Sequence, residues 1–183
     1  MRTVLKWILG VFAALIVIFV GGGFLLPSEA VVQRQTVVKA PPEKVFAVIG
    51  DIKRNNDWSP WAELDPNMKV AYEGPASGAG QKLIWDSSNP NVGKGSQTFT
   101  EVVENRRVAS ELDFGDMGKA IASMELAPVA EGTGVTWGFK SQLNNIAERW
   151  FGLMFDRWIG ADYEKGLAKL KLLVEKEAGT PQL

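Results

Sequence analysis

The chain of 183 residues contains no cysteine and no histidine. Without cysteine there is no disulfide, no thiol nucleophile, no thiolate metal site and no residue to carry a lipid. Without histidine there is no Ser-His-Asp triad, no imidazole base and no imidazole metal ligand. Most hydrolase mechanisms are closed by these two absences. Clustered positive charge is missing as well. Arg2 and Lys6 precede a long apolar run, which leaves 18 of the 20 basic residues against 21 acidic ones and a net charge of about −3 for the remainder. Phosphate backbones are bound by clustered Lys and Arg, so nucleic acid is not an expected partner. No metal, cofactor or catalytic residue is assigned from the sequence, and no internal repeat or low-complexity tract is visible.

What the chain does have is a run from Trp7 to Leu26 with no charged or amide side chain. At ~1.5 Å per residue it spans roughly 30 Å, the thickness of a hydrocarbon core. A signal peptide has a shorter apolar region, of about 7–15 residues, and Ser28-Glu29-Ala30 is a poor small-x-small cleavage site. The run therefore reads as an uncleaved, single-pass transmembrane helix. Arg2 and Lys6 lie before it, and Glu29 is the first charge after it. Positive flanks stay in the cytoplasm, so the remaining chain is expected on the outer side, periplasmic or extracellular. The expected division is a cytoplasmic N-terminus at 1–6, the span at 7–26, a linker at 27–31, one domain at 32–178 and a tail at 179–183. Extended at ~3.5 Å per residue, Pro27-Ser28-Glu29-Ala30 reaches only about 15 Å, which holds the domain against the membrane surface.

Val and Thr enrichment predicts a strand over 32–39. Pro41-Pro42-Glu43 opens a short helix, and Asp51 caps a second that ends near Ser59-Pro60. Strands are predicted over 69–73, 81–86, 94–103, 107–114, 119–127 and 134–142, separated by Gly, Pro, Asn and Asp turns. Leu83/Trp85, Leu112/Phe114, Met124/Leu126 and Val135/Trp137/Phe139 alternate with Lys82, Asp113, Glu125 and Lys140. Such alternation marks an antiparallel sheet with one buried and one wet face. Residues 145–176 read as one long helix, with Gly160 as a place for a bend. The expected class is α+β: a sheet wrapped around a final helix.

Ala40 to Phe46, Asp57-Trp58-Ser59-Pro60-Trp61, Gly74 to Gly78, Gly95 to Val102 and Gly166 to Leu170 stand in this order. The ordered set resembles the START-like, birch-pollen-allergen-like superfamily (SRPBCC), most closely its polyketide cyclase/dehydrase and lipid-transport branch. The resemblance implies a helix-grip fold, a curved seven-stranded antiparallel sheet around a long C-terminal helix with a hydrophobic cavity between them. It does not imply one activity: lipid carriers, cyclases, hormone receptors and chaperone activators share the fold.

Large apolar side chains are the candidate ligand contacts. Trp58 and Trp61 bracket Ser59-Pro60; Trp85, Phe99, Leu112, Phe114, Met124, Trp137 and Phe139 lie on strands; Phe151, Met154, Phe155 and Trp158 lie in the first half of the last helix. Singly, each reads first as a core residue. Collectively, a curved sheet over one helix leaves volume that side chains do not fill. The first half of the helix is apolar around well over half its circumference, more than one buried stripe requires. Neighbouring loops, a cavity mouth or the nearby membrane would cover the surplus. Trp58 and Trp61 either rim the cavity or cap the sheet. The acid pairs Glu101/Glu104 and Asp113/Asp116 read as solvated strand ends, and Arg149 and Arg157 as exposed helix charges rather than lipid-phosphate ligands. The leading expectation is non-catalytic binding of a lipid or other hydrophobic small molecule beside the membrane. A cyclase or dehydratase on an apolar substrate and an envelope protein-interaction module are the alternatives.

Overall fold

A computed structural model describes residues 2–179, with side chains from residue 4 onward. Most of the expected tail, 180–183, and Met1 lie outside the described residues. The apolar run forms helix α1, Arg2–Leu25. Its stretch Val4–Leu25 is long and apolar enough to cross a membrane. Strand β1 begins at Glu29 and ends at Val38. The connection from α1 is thus shorter than the linker expected at 27–31, because pairing of Glu29 and Ala30 with Gln142 and Ser141 extends the strand backwards.

Helix α2, Pro42–Ile49, starts on proline, and its Val45, Val48 and Ile49 are buried. Asp51 accepts from the Lys53 N–H and caps a tight turn at Ile52–Arg54. Helices α3, Asn55–Trp58, and α4, Pro60–Leu64, follow. The sheet continues with β2 (Lys69–Glu73), β3 (Lys82–Asp86), β4 (Lys94–Val103), β5 (Arg107–Asp113), β6 (Lys119–Val129) and β7 (Gly132–Gln142). All pairs are antiparallel, in the order β1-β7-β6-β5-β4-β3-β2. A register shift between Phe99 and Glu101 bends β4 and adds local twist. At the β4–β5 turn Asn105 adopts φ 58°, a left-handed conformation that asparagine tolerates.

The last helical stretch differs from the expected single helix. It divides into α5, Ile146–Gly152, and α6, Phe155–Gly179. The break falls at Leu153-Met154 and not at Gly160. Gly152 sits against Leu143, so closely that a Cβ there would stand 2.6 Å from Leu143 Cδ1, and glycine is a weak helix former. Gly160 lies in unbroken helix; its missing side chain admits the guanidinium of Arg34 from β1. Asn145 caps α5 by accepting from the Glu148 N–H at 2.9 Å, and the Glu148 carboxylate accepts from the Asn144 N–H. The buried stripe of α6, Tyr163, Gly166, Leu167, Leu170 and Val174, lies across the concave face of the sheet.

Candidate functional site

Between the sheet, the α2–α3 segment and α6 the fold encloses a cavity of about 440 Å³, within the usual range for small-molecule pockets. The strands supply one wall: Leu83 and Trp85 from β3, Phe99 from β4, Leu112 from β5, Met124 from β6, and Trp137 and Phe139 from β7. Their period-two spacing puts them on one face. Val48, Ile52 and Trp58 close a second side, and α6 contributes Phe155, Trp158, Ile159 and Tyr163. Trp61, Phe114 and Met117 also line it, Met117 being 78% exposed at the rim.

An aromatic cluster sets the floor. Trp137 stacks on Tyr163 with centroids 3.8 Å apart and planes 11° from parallel. Trp58 meets Trp137 edge-on at 5.0 Å, and Trp61 does so at 6.1 Å. Gly166 permits this arrangement, since a Cβ there would stand 2.6 Å from Trp137 Cζ3 and 3.1 Å from Pro60 Cδ. Trp85 and Phe114 meet edge-on at 6.0 Å, as do Phe139 and Phe155 at 6.1 Å. Trp85 Nε1 donates to the Val92 carbonyl at 3.4 Å and ties the 87–93 loop to the mouth.

Of the residues singled out in the sequence, Trp58, Trp61, Trp85, Phe99, Leu112, Phe114, Met124, Trp137, Phe139, Phe155 and Trp158 line this cavity. Phe151 and Met154 do not line it; they lie exposed on α5 and the α5–α6 joint. Trp58 and Trp137 are buried core and cavity wall at once.

Sequence reasoning missed the polar seam. Gln97 Nε2 donates to Ser110 Oγ at 3.0 Å, and Asn55 Nδ2 donates to Gln97 Oε1 at 3.4 Å. All three line the cavity. Gln97 shares its sheet face with Phe99, and Ser110 with Leu112, which was the signal available. Trp58 Nε1 is buried without a hydrogen-bond partner among the described residues. Tyr163 is the deeply buried ionisable group of the wall, and burial pushes its hydroxyl well above the usual tyrosine range. It is therefore neutral at physiological pH, a donor and not a base. Asp51, Lys119 and Asp162 lie at partly or fully exposed edges of the cavity. The acid pairs are solvated, with Glu101 paired to Arg107 and Asp113 to Lys119. Arg149 differs from the exposed charge expected: it is half-buried, with Nη1 donating to the Gly23 carbonyl at 3.4 Å.

A family model described as "Polyketide cyclase / dehydrase and lipid transport" matches residues 29–175. No curated protein matches the chain. Among solved structures, a protein of unknown function from Staphylococcus aureus superposes with a TM-score of 0.64 at 13% identity, over 83% of this chain and 97% of that one. The di-domain ARO/CYC StfQ from the steffimycin biosynthetic pathway gives 0.63 at 11% identity, over 83% of this chain and 52% of its own. The Aha1 dimer from Colwellia psychrerythraea gives 0.56 at 18% identity, over 81% of this chain and 98% of that one. At these identities the likeness is one of fold.

Proposed function

The chain belongs to the polyketide cyclase/dehydrase and lipid-transport family, and on that premise we propose that it binds a lipid or other hydrophobic small molecule between sheet and α6, without chemistry, while α1 tethers it to a membrane. The observation that carries this reading is the apolar cavity of about 440 Å³. Each methylene taken from water into it contributes ~0.8 kcal/mol, so an acyl or isoprenoid chain needs no special chemistry to bind. The seam of Asn55, Gln97 and Ser110, with the unpaired N–H of Trp58, favours a ligand whose apolar body carries one hydrogen-bonding group. In this reading residues 1–6 stay cytoplasmic and the domain faces the outer side.

Native mass spectrometry of the full chain after gentle extraction tests the proposal, together with titration by a fluorescent fatty acid. A retained apolar mass and saturable probe binding are expected. An empty protein that binds no probe overturns it.

Tyr163 supports a second reading, a cyclase-type reaction on an apolar substrate. Its neutral hydroxyl is a hydrogen-bond donor held in an apolar wall, a group able to stabilise charge developing on a substrate oxygen. The recovered ligand is incubated with the protein and with the Tyr163→Phe variant, which keeps the stack on Trp137. A mass change that the substitution abolishes would establish catalysis, and an unchanged ligand would remove it.

A further inference from the structure

Helix α1 does not stand free of the domain. Its last turns pack on α5. Phe19 stacks on Trp150 with centroids 5.8 Å apart and planes 13° from parallel. Trp150 Nε1 donates to the Phe19 carbonyl at 3.0 Å, using a second lone pair of a helix carbonyl. Gly22 and Gly23 make the approach possible: a Cβ on Gly22 would stand 2.9 Å from Trp150 Cζ2, and one on Gly23 would collide with Ile146. Arg149 reaches the Gly23 carbonyl beside them. The domain is thus fastened to α1 at residues 19–23, before the helix ends at Leu25.

That position fixes a depth. Phe19 precedes Leu25 by six residues, ~9 Å along the axis at ~1.5 Å per residue. The apolar stretch Val4–Leu25 has 22 residues, ~33 Å of helix against a hydrocarbon core of ~30 Å. A bilayer that receives α1 therefore holds Phe19 below its surface, and Trp150 with it. Helix α5 does not fit in the water above. Its chemistry agrees with immersion: Phe151 is 61% exposed, Leu153 55%, Trp158 50% and Met154 36%. Arg149, hydrogen-bonded to the Gly23 carbonyl nearer the end of α1, can keep its charged head towards the headgroups while its stem lies on apolar surface.

We propose that α5, the Leu153-Met154 joint and the Trp158 face of the first turn of α6 form a second membrane element, seated among the lipids of the leaflet facing the domain, and that the cavity opens into that leaflet. Phe155, Trp158 and Ile159 line the cavity from the same turn, so one face of the turn meets lipid while the other walls the cavity. An apolar molecule then passes between acyl chains and cavity without crossing water, where its exposed surface would be unfavourable. The inference rests on the reading that α1 crosses a membrane.

The absence of cysteine makes every introduced cysteine unique. The full chain is reconstituted in phosphatidylcholine–phosphatidylglycerol vesicles, with an environment-sensitive fluorophore placed in turn at Leu15→Cys, Phe151→Cys, Leu153→Cys and Glu131→Cys. Glu131 lies by the turn at the far end of β7, ~30 Å along the strand from the end that pairs with Glu29. Blue-shifted emission and quenching by acyl-chain nitroxide lipids are expected at 15, 151 and 153, and iodide quenching at 131. Labels at 151 and 153 that iodide quenches while 15 stays in lipid would overturn this inference and leave the anchor standing. Labels at 151 and 153 shielded from both quenchers would overturn it in favour of a protein contact. A label at 15 that iodide reaches would overturn the anchor itself, and this inference with it.

Discussion

The guanidinium of Arg34 occupies the space that a side chain at Gly160 would fill. From there it donates to Asp156 at 2.9 Å and to Glu164 at 2.7 Å. The three α6 residues are spaced four apart and so lie on one face of the helix. One arginine of β1 thereby clamps two turns of α6 to the sheet, at the end nearest α5.

Gly160 and Gly166 both leave no room for a Cβ, yet substitution by alanine is expected to differ between them. At Gly160 the neighbour is the tip of a flexible side chain, which can move aside. The loss of two exposed ion pairs, each weak because solvent screens it, is then set against a gain of about 1 kcal/mol in helix propensity. Gly160→Ala should change stability little. At Gly166 the neighbours are the rings of Trp137 and Pro60, and overpacking against rigid groups costs about 1–3 kcal/mol. Denaturant titrations of the two variants check the contrast.

The pH dependence follows from three carboxylates held below the usual range. Asp156 is lowered chiefly by its hydrogen bond from Arg34, Glu177 by that from Arg54, and Asp113 by the Gly115 N–H and then Lys119. Their folded values lie below the unfolded ones, so the stabilisation is complete above the ordinary carboxylate range, about pH 4–5. It is lost as pH falls through the lowered values. The melting temperature should drop below about pH 4, and Asp156→Asn should flatten part of that slope.

Trp58→Phe keeps an aromatic ring and removes the unpaired buried N–H. Relieving an unsatisfied donor is worth about 1–3 kcal/mol, so the empty protein should be as stable or more so. Affinity for a ligand bearing an acceptor should fall, while affinity for a pure hydrocarbon probe should not. Parallel titrations with a fatty acid and an alkane-tailed probe separate the two.

Ala122 lines the cavity and is 7% exposed. Ala122→Leu places three more carbons in empty space, so the usual overpacking cost should be absent. Binding of a fluorescent fatty acid should weaken about tenfold or more, as several methylenes lose their place at ~0.8 kcal/mol each. Unchanged affinity would place the ligand elsewhere.

Trp150→Ala removes the stack on Phe19 and the hydrogen bond to its carbonyl. The domain should then swing on the segment after Leu25, and limited proteolysis near Pro27-Ser28 should become faster. Gly23→Leu should act alike by forcing Ile146 away.

Strands β3, β5, β6 and β7 were legible because apolar and polar residues alternate along their sequences, and the turns between strands carry Gly, Pro and Asn. Helix α4 was not foreseen: five residues after Ser59 are too few to show a period. The α5–α6 break was not foreseen, and Gly160, the place expected for a bend, lies in unbroken helix, because the sequence does not tell which glycine meets a flexible arginine and which a buried leucine. Phe151 and Met154 share the apolar character of Phe155 and Trp158, and only their position, on α5 and in the joint, takes them out of the cavity wall.

By itself the sequence determined the apolar helix near the N-terminus, the class of fold and the buried face of β3, β5, β6 and β7, since these follow from local composition and period. The tertiary structure decided where empty volume remains, which polar groups border it and how the domain sits on α1. Those depend on contacts between distant positions: Gln97 meets Asn55 across 42 positions, and Trp150 meets Phe19 across 131. No local pattern encodes such distances. They arise only when a twisted sheet, bent in β4, closes around α6 and brings α5 back to the helix where the chain began.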